Sequence, residues 1–488
     1  MQSISKLLLA LVVAVGVSAA SAASAAPTTR PNIVMIAIDD MNDWVGALGG
    51  PAHTPNIDRL AASGMLFRNA YCVVPACNPS RTALMTGLRP ETTGQYSNEG
   101  NFREKRPGNA ALLTLPQRLA SLGYQTRAAG KIFHHPRGAG PNVPALSDPV
   151  SWAEQYVGPT GTGGAKEYQN TNGMAKWLKG DRHGITSDYA VQHAATWGPI
   201  AQAKEETGDW LMASDCADFI AKKHDRPFFI AAGIFRPHAP LLAPKRYFDL
   251  YPLDQIKLPE CPPDDMADIP AIAQTNWSTP LVHAIRKEGE WARAVQAYLA
   301  CMSFADDCVG RILDAVDASP DRANTIVILW SDHGWQLGHK NRWEKFSLWK
   351  QGTRAPFIIR APGFKPAACD RAVSYLDLSP TVLDLVGAPT VAALEGESLR
   401  PWLRDPSLPR TRPAVVTYLP GNHSVVHEQW NYIRYSDGSE ELYDHAVDPA
   451  EFRNLIGQPG AAAIVAKLRP SLPATPAADF KNNKRADN

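Results

Sequence analysis

The feature that most limits the fold of this chain is its alternation of short β-branched apolar runs with longer amphipathic stretches. Residues 33–38 form such a run, 57–63 and 114–122 have helical spacing, and 125–129 return to strand texture. Residues 228–232 and 325–330 repeat the apolar pattern, each after a helical stretch, near 210–223 and 291–316. Strands separated by helices imply βαβ units and a mostly parallel sheet. The two later runs are expected to be central strands of that sheet.

Between these elements, residues 138–208 and 252–279 are rich in Gly, Pro, Asn and Asp and read as long surface excursions of the kind that shape a pocket. After residue 408 the texture changes to short alternating strands, 414–419, 430–435 and 441–443, followed by a helix at 461–468. A small antiparallel α+β subdomain is expected there. Residues 1–26 read as a signal peptide, with Lys6, an apolar core at 7–17 and small residues up to Ala26. The expected organisation is a leader at 1–26, a catalytic α/β domain at 27–407, the subdomain at 408–473 and a disordered tail at 474–488.

With 488 residues, 44% hydrophobic and 20% charged, the chain can bury a large core. Forty-nine basic against forty-eight acidic residues leave a formal charge of +1, so no global field recruits nucleic acid or an anionic membrane. No segment after the leader is long and apolar enough to span a bilayer. The seven cysteines are an odd number whose spacing suggests no metal knuckle and sets no pairing. At most one or two bridges are expected.

Asp39 and Asp40 directly follow the run 33–38, as Asp332 and His333 follow 325–330. Parallel strands bring both pairs to one rim, the carboxyl end where open α/β sheets place their sites. A single Asp pair reads first as a loop or helix cap. Two acidic clusters on one rim repel unless a cation joins them, and oxygen-rich ligation suits calcium or magnesium better than zinc. Cys77 precedes a helix-like run at 79–86, with Pro79 placed early where its missing N–H costs nothing. A helix N-terminus favours anions. From spacing alone Cys77 reads as a buried thiol or half of a bridge with Cys72. Arg81 lies one turn on, on the same face, with a guanidinium able to hold an anion bidentately.

Cys77-Asn78-Pro79-Ser80-Arg81, continuing through Leu84-Met85-Thr86-Gly87, resembles the sulfatase signature, and Asp39-Asp40, Lys131 and Asp332-His333 occur in that family's order. The resemblance covers nearly the whole mature chain. It implies the alkaline-phosphatase-like fold, a large mostly parallel mixed sheet flanked by helices. Gly130-Lys131-Ile132-Phe133-His134, Arg236-Pro237-His238, Ser331-Asp332-His333-Gly334-Trp335, Leu337-Gly338 and Trp343-Glu344-Lys345 are similar to the iduronate-2-sulfatase group. His339-Lys340-Asn341 departs from that group, which more often has Glu-His-Gly, and is expected to face substrate.

The resemblance implies that Cys77 is oxidised to formylglycine by a formylglycine-generating enzyme. It also implies that Asp39, Asp40, Asp332, His333 and modified Cys77 surround one divalent cation, calcium before magnesium. Lys131, Lys345 and Arg81 would neutralise sulfate oxygens, His134 would be a base, and His238 with Lys345 would assist the leaving oxygen. The implied substrate is a sulfated carbohydrate, met after export to the periplasm or the exterior. The alternatives are a phosphomonoesterase or phosphodiesterase on the same fold, and a sulfated-glycan binding protein without catalysis. Trp44, Trp335 and Trp343 flank the site in sequence and read as packing residues.

Overall fold

The computed structural model describes residues 30–134, 148–156, 158–159, 194–274 and 278–474. The expected leader, the tail beyond residue 474 and much of the 138–208 excursion lie outside the described residues. Eight strands form the main sheet: β1 (Asn32–Asp39), β2 (Met65–Tyr71), β3 (Gln125–Gly130), β4 (Glu154–Gln155), β5 (Phe228–Pro237), β6 (Thr325–Ser331), β7 (Phe357–Arg360) and β8 (Ala367–Ser374). Their order is β8-β2-β7-β6-β1-β5-β3-β4, and only β7 runs against its neighbours. The sheet is therefore mixed but mostly parallel, with β6, β1 and β5 at its centre as the apolar runs predict.

Strand β1 shows why these runs lack polar positions. All eight of its residues are buried, and successive side chains enter different cores. Val34, Ile36 and Ile38 pack with helices α1 (Pro55–Ser63), α4 (Gly208–Ile220) and α5 (Trp291–Ala318). Ile33, Met35 and Ala37 pack with α2 (Cys77–Thr86), α3 (Leu115–Ser121) and α6 (Leu378–Leu385) on the other face. Helices on both faces leave the sheet's ends as the place where polar side chains can gather.

A second, antiparallel sheet joins β9 (Ala414–Thr417), β10 (His423–His427), β11 (Trp430–Arg434) and β12 (Glu440–Asp444). One of its faces, Val415, Val425, Tyr432 and Leu442, covers helix α7 (Ala461–Leu468) through Ala461, Val465 and Leu468. The other, with Val416, Val426, Ile433 and Tyr443, joins the α2 side of the main core. Strand β10 has no counterpart in the sequence reading. Among the described residues no helix is long and apolar enough to cross a membrane. All seven cysteines are free, so Cys72 and Cys77 are not bridged.

Candidate active site

The register β1 to β6 pairs Ile38 with Ser331, so the residues after both strands emerge side by side. Asp40 donates its backbone N–H to Asp332 Oδ1 at 3.0 Å, and Asp332 donates its own to the Ile38 carbonyl at 3.3 Å. Strands β5 and β3 end at the same rim, bringing His238 and Lys131 alongside. Gly130 and Gly233 make that approach possible. A Cβ on Gly130 would lie 2.1 Å from the Gly233 oxygen, and Gly130 has a φ of +71° that other residues rarely adopt. Four adjacent strands, β6, β1, β5 and β3, thus deliver six of the expected site residues, Asp39, Asp40, Lys131, His238, Asp332 and His333, at or just after their ends.

Asp40 itself holds a φ of 65°, a conformation costing a non-glycine residue roughly 1 kcal/mol or more. It is held there by the Asp332 contact and by the Tyr298 hydroxyl, which donates to the Asp40 carbonyl at 2.7 Å. Tyr298 comes from the middle of α5 and stacks on Trp335. No motif points to it; its position 258 residues away in sequence hides it.

Helix α2 begins at Cys77, two residues before the predicted start. Cys77 Sγ lies 3.1 Å from Lys345 Nζ, 3.4 Å from His333 Nε2 and 3.8 Å from Asp40 Oδ1. Burial opposes ionisation of this thiol, yet Lys131 and Lys345 hold it below the ordinary thiol value. Lys345 also donates to both Asp40 oxygens, at 2.8 and 3.0 Å, and Lys131 reaches Asp39 Oδ2 at 2.5 Å.

Arg81 is wholly buried beneath the carboxylates. Its Nε donates to Asp332 Oδ2 at 2.9 Å, its Nη2 to Asp39 Oδ1 at 3.1 Å, and its Nη1 to the Lys131 and Ile132 carbonyls. The anions it holds are these two carboxylates, so it positions the rim from below. Removing one partner of a buried, hydrogen-bonded charge cluster strands the others. Arg81→Met is therefore expected to destabilise the fold by about 3–5 kcal/mol. Urea unfolding checks this, and an unchanged midpoint would contradict it.

Asp40, Cys77, Asp332 and His333 each offer one ligand atom, and all four atoms lie within 4.8 Å of one another. Asp39, Cys77 and His238 form a second such group. His333 Nδ1 faces the Gly334 carbonyl at 2.9 Å, which assigns the proton to that nitrogen and turns the Nε2 lone pair toward Asp40 Oδ1 at 3.2 Å. Two acceptors at that distance require a proton or a cation between them. Burial first, then the charges of Cys77 and Asp39, push Asp40 up to about 8 against Lys345. The nearby Asp332 and Cys77 charges, working against burial, raise His333 to about 9. Such unrelieved acidity is what a divalent cation would remove, and the residues present fit one.

Burial opposes ionisation of Asp39, but Lys131, His238 and Arg81 overcome it and keep this carboxylate well below its usual range. Burial, reinforced by Lys131, also keeps His134 well below the ordinary imidazole value, and its enclosed Nδ1 has no hydrogen-bond partner among the described residues. His238 is lowered too, chiefly by burial. Its Nδ1 faces the Ala239 carbonyl at 2.6 Å and its Nε2 lies 3.8 Å from Asp40 Oδ2. Both histidines are neutral and able to accept a proton.

Residues 339–341 are turned more into the fold than their departure from the group pattern suggests. Lys340 pairs with Asp265 Oδ1 at 2.5 Å, and Asn341 accepts from Arg286 at 2.7 Å. His339 stands edge-on to Trp44. Residues 252–274 of the 252–279 excursion fold over this segment, with the Gln274 carbonyl accepting from Arg342. Trp335 and Trp343 are buried packing residues, as read; Trp335 additionally floors Lys345, whose Nζ lies 5.7 Å from its ring.

A thiol at a helix N-terminus, flanked by two lysines and set against a carboxylate rim on an α/β sheet, defines a hydrolase of anionic esters. The profile of the Sulfatase family matches residues 31–388, and that of the N-sulphoglucosamine sulphohydrolase C-terminal region matches residues 338–477. A Sulfatase of Formosa agariphila is 35% identical over 458 residues, covering 91% of this chain and 87% of the relative. Iduronate 2-sulfatase of Homo sapiens is 31% identical over 420 residues, covering 78% and 72%. In fold, the phosphonate monoester hydrolase of Agrobacterium radiobacter matches with a TM-score of 0.71 at 21% identity, covering 91% of this chain and 96% of that one. The chain belongs to the sulfatase family and is a sulfuric ester hydrolase.

Proposed function

We propose that this enzyme removes sulfate from a sulfated sugar, in the manner of the iduronate-2-sulfatase group, with a formylglycine nucleophile made from Cys77. The observation that carries this reading is Cys77 Sγ at the start of α2, 3.1 Å from the Lys345 ammonium and grouped with Asp40, Asp332 and His333. Oxidation by a formylglycine-generating enzyme would convert the thiol-bearing carbon to an aldehyde, which takes up water to carry two hydroxyls. One hydroxyl oxygen attacks the ester sulfur. The bond from sulfur to the sugar oxygen breaks, and the alcohol leaves with a proton that His238 and Lys345 are placed to guide.

Sulfate is then bound to residue 77. His134, neutral because it is buried beside Lys131, takes the proton of the second hydroxyl. The carbon–oxygen bond to sulfate breaks, the aldehyde re-forms and inorganic sulfate departs. Lys131 and Lys345 are fixed in advance against the charge that grows on oxygen in both steps. Arg81 acts through Asp39 and Asp332. Asp39, Asp40, Asp332, His333 and residue 77 would hold one divalent cation, calcium before magnesium, and their mostly oxygen donors suit either better than zinc. When bound, it supplies positive charge to the sulfate oxygens.

Residues 1–26, read as a leader, would deliver the enzyme to the periplasm or the exterior, where sulfated polymers are met. Peptide mass spectrometry after co-expression with the maturation enzyme is expected to find the aldehyde at residue 77. Turnover is expected on sulfated mono- or oligosaccharides and to be far lower on matched phosphate esters. An unmodified thiol in protein that still turns over sulfate esters at full rate would refute the nucleophile. Equal turnover of phosphate esters would instead favour the phosphomonoesterase or phosphodiesterase alternative, and tight glycan binding with no turnover the non-catalytic one.

A further inference from the structure

Glu344 takes no part in the chemistry above, yet it stands beside it. The residue is 8% exposed and has a φ of 75°, so the chain places a buried carboxylate in a conformation that non-glycine residues avoid. Among the described residues its carboxylate has no hydrogen bond or ion pair, while its neighbour Lys345 turns to Asp40 and Cys77. Its electrostatic neighbours are Lys345, Asp40, Cys77 and His333, the groups that surround the reacting atom. Buried carboxylates are normally paired, and an unpaired one is costly.

We propose that Glu344 is a substrate-binding residue: its carboxylate accepts a hydrogen bond from a hydroxyl or ammonium group of the alcohol moiety next to the ester being cleaved. The assignment rests on the sulfatase reading and sharpens its substrate class. Burial without a partner leaves this carboxylate unsupported by the chain itself. A donor on the sugar supplies what is missing. A sugar carrying its own carboxylate there offers no donor and sets a second acidic group against the first. The preferred substrate is therefore a sulfated neutral or amino sugar, and a sulfated uronate is disfavoured.

Binding separates this proposal from the catalytic reading. Calorimetry on full-length Cys77→Ala protein would use three probes: a sulfated neutral hexose, a sulfated glucosamine with a free amine, and a sulfated uronate. The first two are expected to bind at least about tenfold more tightly than the third, the size of one hydrogen bond to a charged group. Glu344→Gln, nearly isosteric, should bring that ratio close to one, and a larger loss on the amine than on the hydroxyl probe identifies an ammonium as the natural donor. Uronate binding as tight as neutral-sugar binding in the Glu344 protein overturns the proposal even if the variant fails to fold. So does a ratio that Glu344→Gln leaves unchanged. Absence of turnover by matured wild-type protein on all three, and on 4-nitrophenyl sulfate, defeats the sulfatase reading instead.

Discussion

Cys77→Ala is expected to lower sulfate-ester turnover by about 10⁴-fold or more, because it removes the thiol from which the proposed aldehyde nucleophile is made. Lys131, Lys345 and the carboxylate rim remain, and preorganised charge alone leaves only a small residue of catalysis. The fold should tolerate the change. Cys77 Sγ is one of several partners of Lys345, which keeps two contacts to Asp40 at 2.8 and 3.0 Å. Thermal unfolding close to that of the parent, with activity gone, is thus the expected pair of results. Cys77→Ser divides the readings further. A hydroxyl nucleophile serves a phosphate-ester hydrolase directly, whereas an enzyme needing an aldehyde from a thiol loses its activity. Full sulfate release by the alanine variant would end the mechanism outright.

Removal of divalent cations is expected to cost about 10³-fold in turnover, corresponding to the several kcal/mol of charge stabilisation a bound cation supplies. Calcium should restore the rate at lower concentration than magnesium, which demands near-ideal octahedral geometry and gives up its water reluctantly. A second readout does not depend on activity. A cation that binds only the folded chain stabilises it by about 4 kcal/mol at a thousandfold excess over Kd. The melting temperature should therefore rise with added calcium, and Asp332→Asn should blunt that rise. A melting curve indifferent to chelator and calcium alike would show that Asp40 and His333 are joined by a proton.

How much of this was legible beforehand follows from the range of the interactions involved. The central strands β1, β5 and β6 were readable because burial on both faces writes itself into consecutive residues. The edge strand β8 was not, since Asp370 and Arg371 interrupt its apolar pattern, and β7 is only four residues long. Strand β2 carries Arg68 and Asn69 in its middle for the same reason. Within the site, residues that follow a readable strand were found, among them Asp39, Asp40, Asp332 and Lys131. Tyr298 was missed because its contact with Asp40 is made across the sheet's rim from a helix whose sequence reads only as core.

Cys77 shows the division most clearly. Local sequence determined that a helix would follow it closely with Arg81 one turn on, and the motif around it carried the family. The tertiary structure decided what the thiol and guanidinium meet. Parallel pairing of β1 with β6 set Asp40 beside Asp332, and chain from beyond Trp343 carried Lys345 to Sγ. It turned Arg81 inward to two carboxylates and left Glu344 unpaired at the edge of the same group. Periodicity and capping act over a few residues, so sequence records them directly. Charge pairing acts between atoms a few ångströms apart whatever their separation along the chain, and only the folded backbone brings those atoms together.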